Sequence, residues 1–198
     1  MTAFGEPILP LGDGHTPLGD DERRGLRLSY ITTRGELNEA EQANILRCRQ
    51  RLRQPTLREL LNDGYLRQLH SLMFGEVWEW AGTYRRLVTS IGIDHAQIAV
   101  SVRDLVADAR IWAQHEEPQR IAVRFHHRLV WIHPFPNGNG RHSRQAADYF
   151  IQALGESSFT WGAIGAGDDA EGTRQRYLAA LREADRGVFG PLEAFAVS

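Results

Sequence analysis

Apolar residues recur mostly at intervals of three and four positions, the period of an amphipathic α-helix. The pattern predicts helices at about 36–53, 57–74, 100–115, 119–132, 140–154 and 168–186, and a last short turn at 192–197. We expect residues 1–30 to form an N-terminal arm, because the first 28 are rich in Gly, Pro and Asp and show no clear period. Residues 31–198 are predicted to form one mainly α domain, with its core at about 57–195.

One segment departs from the helical period. Residues 86–98 carry Val88, Ile91, Ile93 and Ile98 around a central Gly92-Ile93-Asp94. Alternating apolar positions beside a glycine turn are typical of two short strands. We therefore predict an exposed β-hairpin at this point.

The rest of the chain is organised around residues 124–144, RFHHRLVWIHPFPNGNGRHSR. Its first helix should end at His133, because the following proline disfavours the α conformation there. The glycines of Gly138-Asn139-Gly140 can adopt positive φ or let a ligand approach the backbone. A second helix then begins near Gly140 and carries Arg141 and Arg144 on one face.

These residue types favour phosphate chemistry. The N-terminus of a helix presents unpaired N–H groups and the positive end of the helix dipole, which together attract anions. Two arginines beside it favour a multiply charged anion such as a polyphosphate. His133 is placed to take a proton from an attacking hydroxyl. An ordinary helix–helix turn with a structural histidine is the alternative, but the order His, Phe, glycine loop, Arg, Arg is hard to explain as a turn.

Composition narrows the remaining classes. The 198 residues suit one domain, and the net charge of −2 argues weakly against a protein that binds nucleic acid without reading sequence. All 23 basic residues are Arg. The single cysteine, Cys48, excludes an internal disulfide. We find no signal-peptide pattern and no apolar run long enough to span a bilayer, and we expect a cytoplasmic protein without membrane contact.

Residues 133–144, HPFPNGNGRHSR, resemble the signature of the Fic (Fic/Doc) family, H-x-F-x-D/E-G-N-G/K-R-x-x-R. Every fixed position matches except Asn137, where the family has an acid. The resemblance extends over about 57–195 and is closest to the bacterial group called mobile mystery protein B. It implies a Fic-like helical bundle with a short β-hairpin flap over the active-site loop.

The resemblance also implies an activity, which is transfer of AMP from ATP to a Tyr, Thr or Ser hydroxyl of a target protein. In this reading His133 is the base and Phe135 faces the core. The residues that would bind the nucleotide and its phosphates are Gly138, Asn139, Gly140, Arg141, Arg144 and Tyr177, with Tyr177 near the adenine. In some family members a separate antitoxin holds the activity in check, so a regulatory partner of this kind is a further expectation.

Asn137 leaves three outcomes open. The family's acid binds Mg²⁺, and an amide oxygen can also bind Mg²⁺ but adds no negative charge. The chain is then an enzyme with weaker metal affinity, an enzyme that uses a different phosphorylated donor, or a nucleotide-binding regulatory module with little catalysis. We favour the first, because His133 and both arginines are intact. Transfer of a phosphoryl group from ATP, as in the Doc branch, is a separate alternative to transfer of AMP.

Two further expectations come from the resemblance. Thr32 and Glu36 match part of an inhibitory pattern, S/T-x-x-x-E-G/N, whose glutamate pairs with the last arginine of the signature, here Arg144. The alternative is that Thr32 or Thr33 simply caps the helix, and Glu39 and Glu41 are rival partners for that arginine. The second expectation concerns the flap: residues 80–85, WAGTYR, match the family's approach to it. The flap residues Val88, Ile91 and Ile93 would then hold the target by strand addition.

Overall fold

The computed structural model describes residues 24–89, 91–162 and 170–198, and within the last range it leaves the side chains of residues 170 and 171 undescribed. The described residues form eight α-helices and no sheet, which confirms the predicted mainly α fold. An isolated antiparallel bridge joins Leu26 and Trp78. Most of the predicted N-terminal arm, residues 1–23, lies outside the described residues. The helices are α1 (Arg34–Arg51), α2 (Leu57–Leu60), α3 (Asp63–Phe74), α4 (Ile98–His115), α5 (Pro118–Ile132), α6 (Asn139–Ala153), α7 (Ala170–Asp185) and α8 (Gly190–Val197).

Helices α5 and α6 form the centre of the core. They pack against each other, and the rings of Phe125 and Phe150 meet edge to face with centroids 5.1 Å apart. Both side chains are fully buried. Truncating a buried phenylalanine typically costs about 3–5 kcal/mol, so this contact fixes the two helices firmly. The loop between them, which contains the signature, is therefore held at both ends.

Helix α1 begins with a capping box: the Thr33 side chain accepts from the Glu36 backbone, and the Glu36 carboxylate accepts from the Thr33 backbone. One face of the helix is buried against α3 and the segment after it. Asn44 links that face to the end of α3 and the residues after it: its side chain donates to the Leu72 carbonyl (3.0 Å) and accepts from the Glu76 N–H (3.0 Å). This docking places the neighbouring turn of α1 next to the signature loop.

The predicted helix at 57–74 is two helices. Helix α2 ends at Leu60, and Asn62 caps α3 by accepting from the Tyr65 N–H at 3.3 Å. Asparagine competes for backbone N–H groups in this way and so favours a helix start over a helix interior. The apolar period runs through both pieces, which is why the pattern alone predicts one helix.

The predicted β-hairpin flap is wrong, since the described residues of 86–98 contain no strand. They form an irregular loop followed by a 3₁₀ turn, His95–Gln97. The buried Arg85 guanidinium explains the difference, because it donates to the carbonyls of Leu87 (3.0 Å) and Ile93 (2.5 Å). Carbonyls that a two-stranded ladder could use are thereby bound to a side chain instead.

Two remaining features bear on the expectations from composition. Cys48 is buried on α1, and burial raises the pKa of its thiol, as expected for a packing residue. Across the described ranges, no helix combines the length and apolar character needed to cross a membrane.

Candidate active site

His133 lies at the C-terminal end of α5, as predicted, in a left-handed conformation with φ 52° and ψ 60°. Such a backbone is uncommon for a residue other than glycine and typically costs about 1–3 kcal/mol, so the surrounding contacts must hold it. Arg85 provides one: its Nε donates to the His133 carbonyl at 2.7 Å, and its backbone N–H donates to the Pro134 carbonyl at 2.9 Å. The chain therefore turns sharply into the loop at His133.

The environment of His133 keeps its imidazole neutral. The pKa of His133 is lowered to about 4, mainly by burial and also by the positive charge of Arg85, while a hydrogen bond to the Val130 backbone acts in the opposite direction. At pH 7 the ring is therefore uncharged and can accept a proton, which is the state that a general base requires. The side chain is partly exposed rather than enclosed in the core.

Gly92 packs directly against this turn. Its φ is +89°, and a β-carbon at this position would lie 2.5 Å from the His133 Cβ and 2.7 Å from an Arg85 guanidinium nitrogen. Only glycine fits such a space and such a backbone. The loop after Arg85 and the catalytic candidate are thus in van der Waals contact through Gly92.

Asn139 clamps the loop from inside. Its side-chain oxygen accepts from the Phe135 N–H (2.9 Å), and its side-chain nitrogen donates to the Phe135 carbonyl (2.8 Å). The predicted phosphate contact from Asn139 is therefore corrected: the residue is only 3% exposed, and both ends of its amide are bound within the loop. Phe135 is buried, as predicted.

Gly138 adopts φ +77°, and a β-carbon there would lie 2.6 Å from the Phe74 ring. It precedes α6, which no side chain caps, so the first-turn N–H groups of this helix remain available to an anion. Gly140, in that first turn, has open space on its Cα side: the nearest atom to a β-carbon there would be the Tyr177 hydroxyl, 3.8 Å away. Gly138 therefore allows the loop to pack closely against Phe74, and Gly140 leaves space for a ligand to approach the backbone.

The two arginines have different surroundings. Arg141 pairs with Glu41 at 2.5 Å, and its guanidinium lies over the Phe74 ring at 4.9 Å. Arg144 lies over the Tyr177 ring at 5.2 Å, and among the described residues it has no carboxylate partner. Arg141 lies in the first turn of α6 and Arg144 in the second, and their positive charges add to that of the N-terminal end of the helix dipole.

Tyr177, predicted near the adenine, lies beside the start of α6 beneath Arg144. It is buried, and its hydroxyl is 3.0 Å from the His126 Nε2. Burial raises the pKa of the Tyr177 hydroxyl to about 12 and lowers that of His126 to about 3, so both are neutral at pH 7. This pair supports Arg144 from below; a contact of Tyr177 with a nucleotide base stays a prediction.

The structure corrects the predicted inhibitory pair. The Glu36 carboxylate accepts from the Thr32 backbone (2.7 Å), the Thr32 hydroxyl (3.1 Å) and the Thr33 backbone (3.0 Å), and these bonds lower the pKa of Glu36. Glu36 therefore caps α1 at the surface and does not reach Arg144. The carboxylate that enters the site is that of Glu41, one of the two rivals, and it pairs with Arg141.

Of the three residues predicted to hold a target, only Val88 is exposed, at 83%. Ile91 is buried, and Ile93 packs against the core, with its N–H 3.4 Å from the Ile132 carbonyl. Their side chains face the domain, because Arg85 draws the backbone of this loop onto the end of α5. The side chains of Ile91 and Ile93 are thus turned away from solvent, and a contact of these residues with a target stays a prediction.

The Mg²⁺ that the resemblance implies does not fit the residues present. The Asn137 side-chain oxygen accepts from the Gly138 N–H at 2.7 Å, and its nitrogen lies 3.5 Å from the Glu41 carboxylate. Within the described ranges, no cluster of three or more His, Cys, Asp or Glu residues could hold a metal ion. A hard cation prefers carboxylate oxygens, whereas Asn137 offers one engaged amide oxygen. The predicted role of Asn137 as a metal ligand is thus not supported, and we derive no step through Mg²⁺.

The sequence interpretation missed two residues of the site, Arg85 and His70, and named a third, Glu41, only as a rival partner for Arg144. Glu41 lies in the buried stripe of α1, and an acid in an apolar stripe is the signal that could have found it. Arg85 closes the WAGTYR segment, which was assigned only to the flap. His70 is fully buried between two loops: its Nε2 donates to the Asn137 carbonyl (3.0 Å), its Nδ1 accepts from the Gly82 N–H (3.0 Å), and its ring stacks on Phe135 at 3.7 Å. No periodicity identifies such a bridge.

A cavity of about 370 Å³ lies elsewhere, between α3 and the turn at 81–83. Its lining contains neither His133 nor the two arginines of α6, so it is separate from the candidate site.

Comparison with known protein families identifies one that this chain resembles. Residues 60–151, which include the whole signature, match the model of the Fic/DOC family. This match confirms the resemblance to the Fic/DOC family over residues 60–151, a little under half of the chain. The closer likeness to the mobile mystery protein B group stays a prediction. A search of curated proteins found no significant match.

Solved structures share the fold. The N-terminal Fic domain of a VirB-translocated Bep effector protein from Bartonella quintana is 21% identical, with a TM-score of 0.67 over 83% of this chain and 82% of that chain. An N-terminal Fic domain of the same description from Bartonella quintana, with bound ADP, is 19% identical, with a TM-score of 0.67 over 85% of this chain and 86% of that chain. BepC from Bartonella tribocorum, with bound AMPPNP, is 19% identical, with a TM-score of 0.64 over 87% and 94%. At these identities the likeness establishes the fold alone.

Proposed function

We propose that this protein is a nucleotidyltransferase that moves AMP from ATP to a Tyr, Thr or Ser hydroxyl of a target protein. The observation that carries the proposal is the placement of a neutral, partly exposed His133 at the edge of an uncapped helix start that bears Arg141 and Arg144. ADP and AMPPNP bound to two proteins of the same fold add support.

The proposed reaction uses these groups in sequence. The triphosphate lies over residues 138–141, with its β- and γ-phosphates near Arg141 and Arg144. His133 takes the proton of the target hydroxyl, whose oxygen attacks the α-phosphorus. The bond from the α-phosphorus to the bridging oxygen breaks, and pyrophosphate leaves. Orientation of the two reactants and stabilisation of the developing charge would supply most of the rate enhancement.

The target would approach over the loop that follows Arg85, where Leu87 and Val88 are 72% and 83% exposed. These residues lie on the same loop as Gly92, which contacts His133. A target bound there would place a hydroxyl close to the imidazole. A separate regulatory protein, as in paired toxin–antitoxin systems, is a further proposal from the family resemblance.

The test is transfer of label from ATP. Purified protein incubated with α-labelled ATP, Mg²⁺ and a cell lysate should label itself or a lysate protein, and His133→Ala should abolish the label. Arg128→Ala, on the same helix, is a control outside the site. Label from γ-labelled ATP instead would assign a phosphotransferase of the Doc type.

A second candidate function is a nucleotide-binding regulatory module with little catalysis. The observation in its favour is that Asn137 replaces an acid and is engaged by Gly138 and Glu41. This candidate predicts saturable ATP binding in calorimetry with no transfer from either labelled ATP. His133→Ala would then leave ATP affinity unchanged.

A further inference from the structure

Glu41 is a buried carboxylate that the proposed reaction does not use. Its side chain is 0% exposed and accepts hydrogen bonds from the Trp78 indole (2.6 Å), from Arg141 (2.5 Å) and, at 3.5 Å, from Asn137. Burying an ionised carboxylate is unfavourable unless opposite charge and hydrogen bonds compensate it. Here donors from three separate segments provide that compensation, so the position is specific for a carboxylate.

Asn137 matches this carboxylate. Its amide nitrogen can donate to Glu41, which an aspartate at this position could not do. An acid at 137 would place two carboxylates at the distance that the amide now spans, and one of them would have to take up a proton. The amide at 137 and the acid at 41 are therefore complementary.

Glu41 also fixes the Arg141 side chain. It holds one guanidinium nitrogen, while the Phe74 ring supports the guanidinium plane. The other guanidinium N–H groups have no hydrogen-bond partner among the described residues, and the side chain is 30% exposed. An anion arriving at the loop would meet these N–H groups, because the carboxylate itself is hidden.

We propose that Glu41 is the positioning residue for Arg141 and that its carboxylate is matched to the amide of Asn137. The positioning role rests on the proposed function, since it assumes that the loop binds a polyphosphate. Arginine side chains lose much rotational freedom when an anion immobilises them. With Arg141 already held by Glu41, that loss is smaller when ATP binds.

The first test measures ATP affinity by calorimetry. Glu41→Gln should weaken ATP binding about tenfold, because an amide nitrogen facing the guanidinium would release it. Glu39→Gln, on the exposed side of the same helix, is the matched control and should bind as the wild type does. In an Arg141→Gln background, Glu41→Gln should cause no further loss, which a general structural defect would not reproduce. ATP binding by Glu41→Gln that equals or exceeds wild type would overturn the proposal, since Glu41 would then block Arg141 or leave it unaffected.

The second test needs no nucleotide. Asn137→Asp should lower the melting temperature at pH 7 and regain stability as pH falls, because protonation relieves the paired carboxylates. The exchanged variant Glu41→Gln/Asn137→Asp should recover most of that loss, since the amide and the acid again face each other. An exchanged variant no more stable than Asn137→Asp would overturn the pairing. Wild-type protein that binds no ATP would instead refute the proposed function and the positioning role. The melting temperatures of the variants would still test the pairing of Glu41 with Asn137.

Discussion

Gly92 offers a sharp test of how the loop after Arg85 positions the candidate base. Gly92→Ala introduces a β-carbon at a φ of +89°, 2.5 Å from the His133 Cβ. Gly187→Ala is a matched control, because Gly187 has a φ of +87° and nothing within 4 Å of a β-carbon. The two variants therefore share the backbone strain and differ in the crowding.

The expected magnitudes follow from that difference. A left-handed backbone costs an alanine roughly 1–2 kcal/mol, and this should be the whole effect of Gly187→Ala. Crowding in a packed site adds about 1–3 kcal/mol, so Gly92→Ala should lose about 2–5 kcal/mol of unfolding free energy. Displacing His133 by about 1 Å should also lower AMP transfer by about 100-fold. Gly187→Ala should keep full activity.

Urea unfolding gives the free energies, and α-labelled ATP gives the transfer rate of each folded variant. The reasoning is refuted if both variants lose the same stability and both transfer label at the wild-type rate. That result would mean that the loop carrying Gly92 moves freely away from His133.

Two other predictions concern the loop and the buried histidines. Asn139→Ala should lose about 3 kcal/mol of unfolding free energy, since it leaves the buried N–H and carbonyl of Phe135 without partners. Urea unfolding measures this loss, with Asn38→Ala at an exposed site as the control. A loss of ATP affinity without a loss of stability would instead indicate a phosphate contact. Stability should also fall from pH 7 to pH 5, because the pKa values of His126 and His142 are about 3 and 4 in the fold, below 6.5, so the unfolded chain binds more protons. Each of these histidines contributes a loss of about 2 kcal/mol over this range, while the raised pKa of Asp148, about 6, offsets about 1 kcal/mol. Urea unfolding at pH 7 and pH 5 measures the change in unfolding free energy. A value that stays constant or rises on acidification would contradict the prediction.

The sequence predicted the framework of the site well, because local rules determine it. Pro134 disfavours the α conformation at His133, so the end of α5 could be placed at the correct residue. Helical period and glycine spacing likewise placed Arg141 and Arg144 at the start of α6. Each of these features depends on neighbours close in the chain.

Features that depend on distant partners could not be predicted in the same way. Glu36 and Glu41 lie on one helix, and the pattern favoured Glu36 because it resembled a known motif. The structure selects Glu41 because Leu37, Ile45 and Cys48 on the same face are buried, which points that face at the loop. The β-hairpin prediction was wrong because it too depends on a contact that the local pattern does not reveal. The Arg85 guanidinium binds the carbonyls of Leu87 and Ile93 in place of strand pairing.

The central claim is that the turn into α6 binds the triphosphate of ATP, with His133 at its edge and Arg144 free of a carboxylate among the described residues. Calorimetric titration with ATP tests this claim most directly. We expect one saturable site whose affinity falls at least tenfold in Arg144→Ala and remains near wild type in His133→Ala. Affinity that Arg144→Ala leaves unchanged, or no heat of binding at millimolar ATP, would contradict the account.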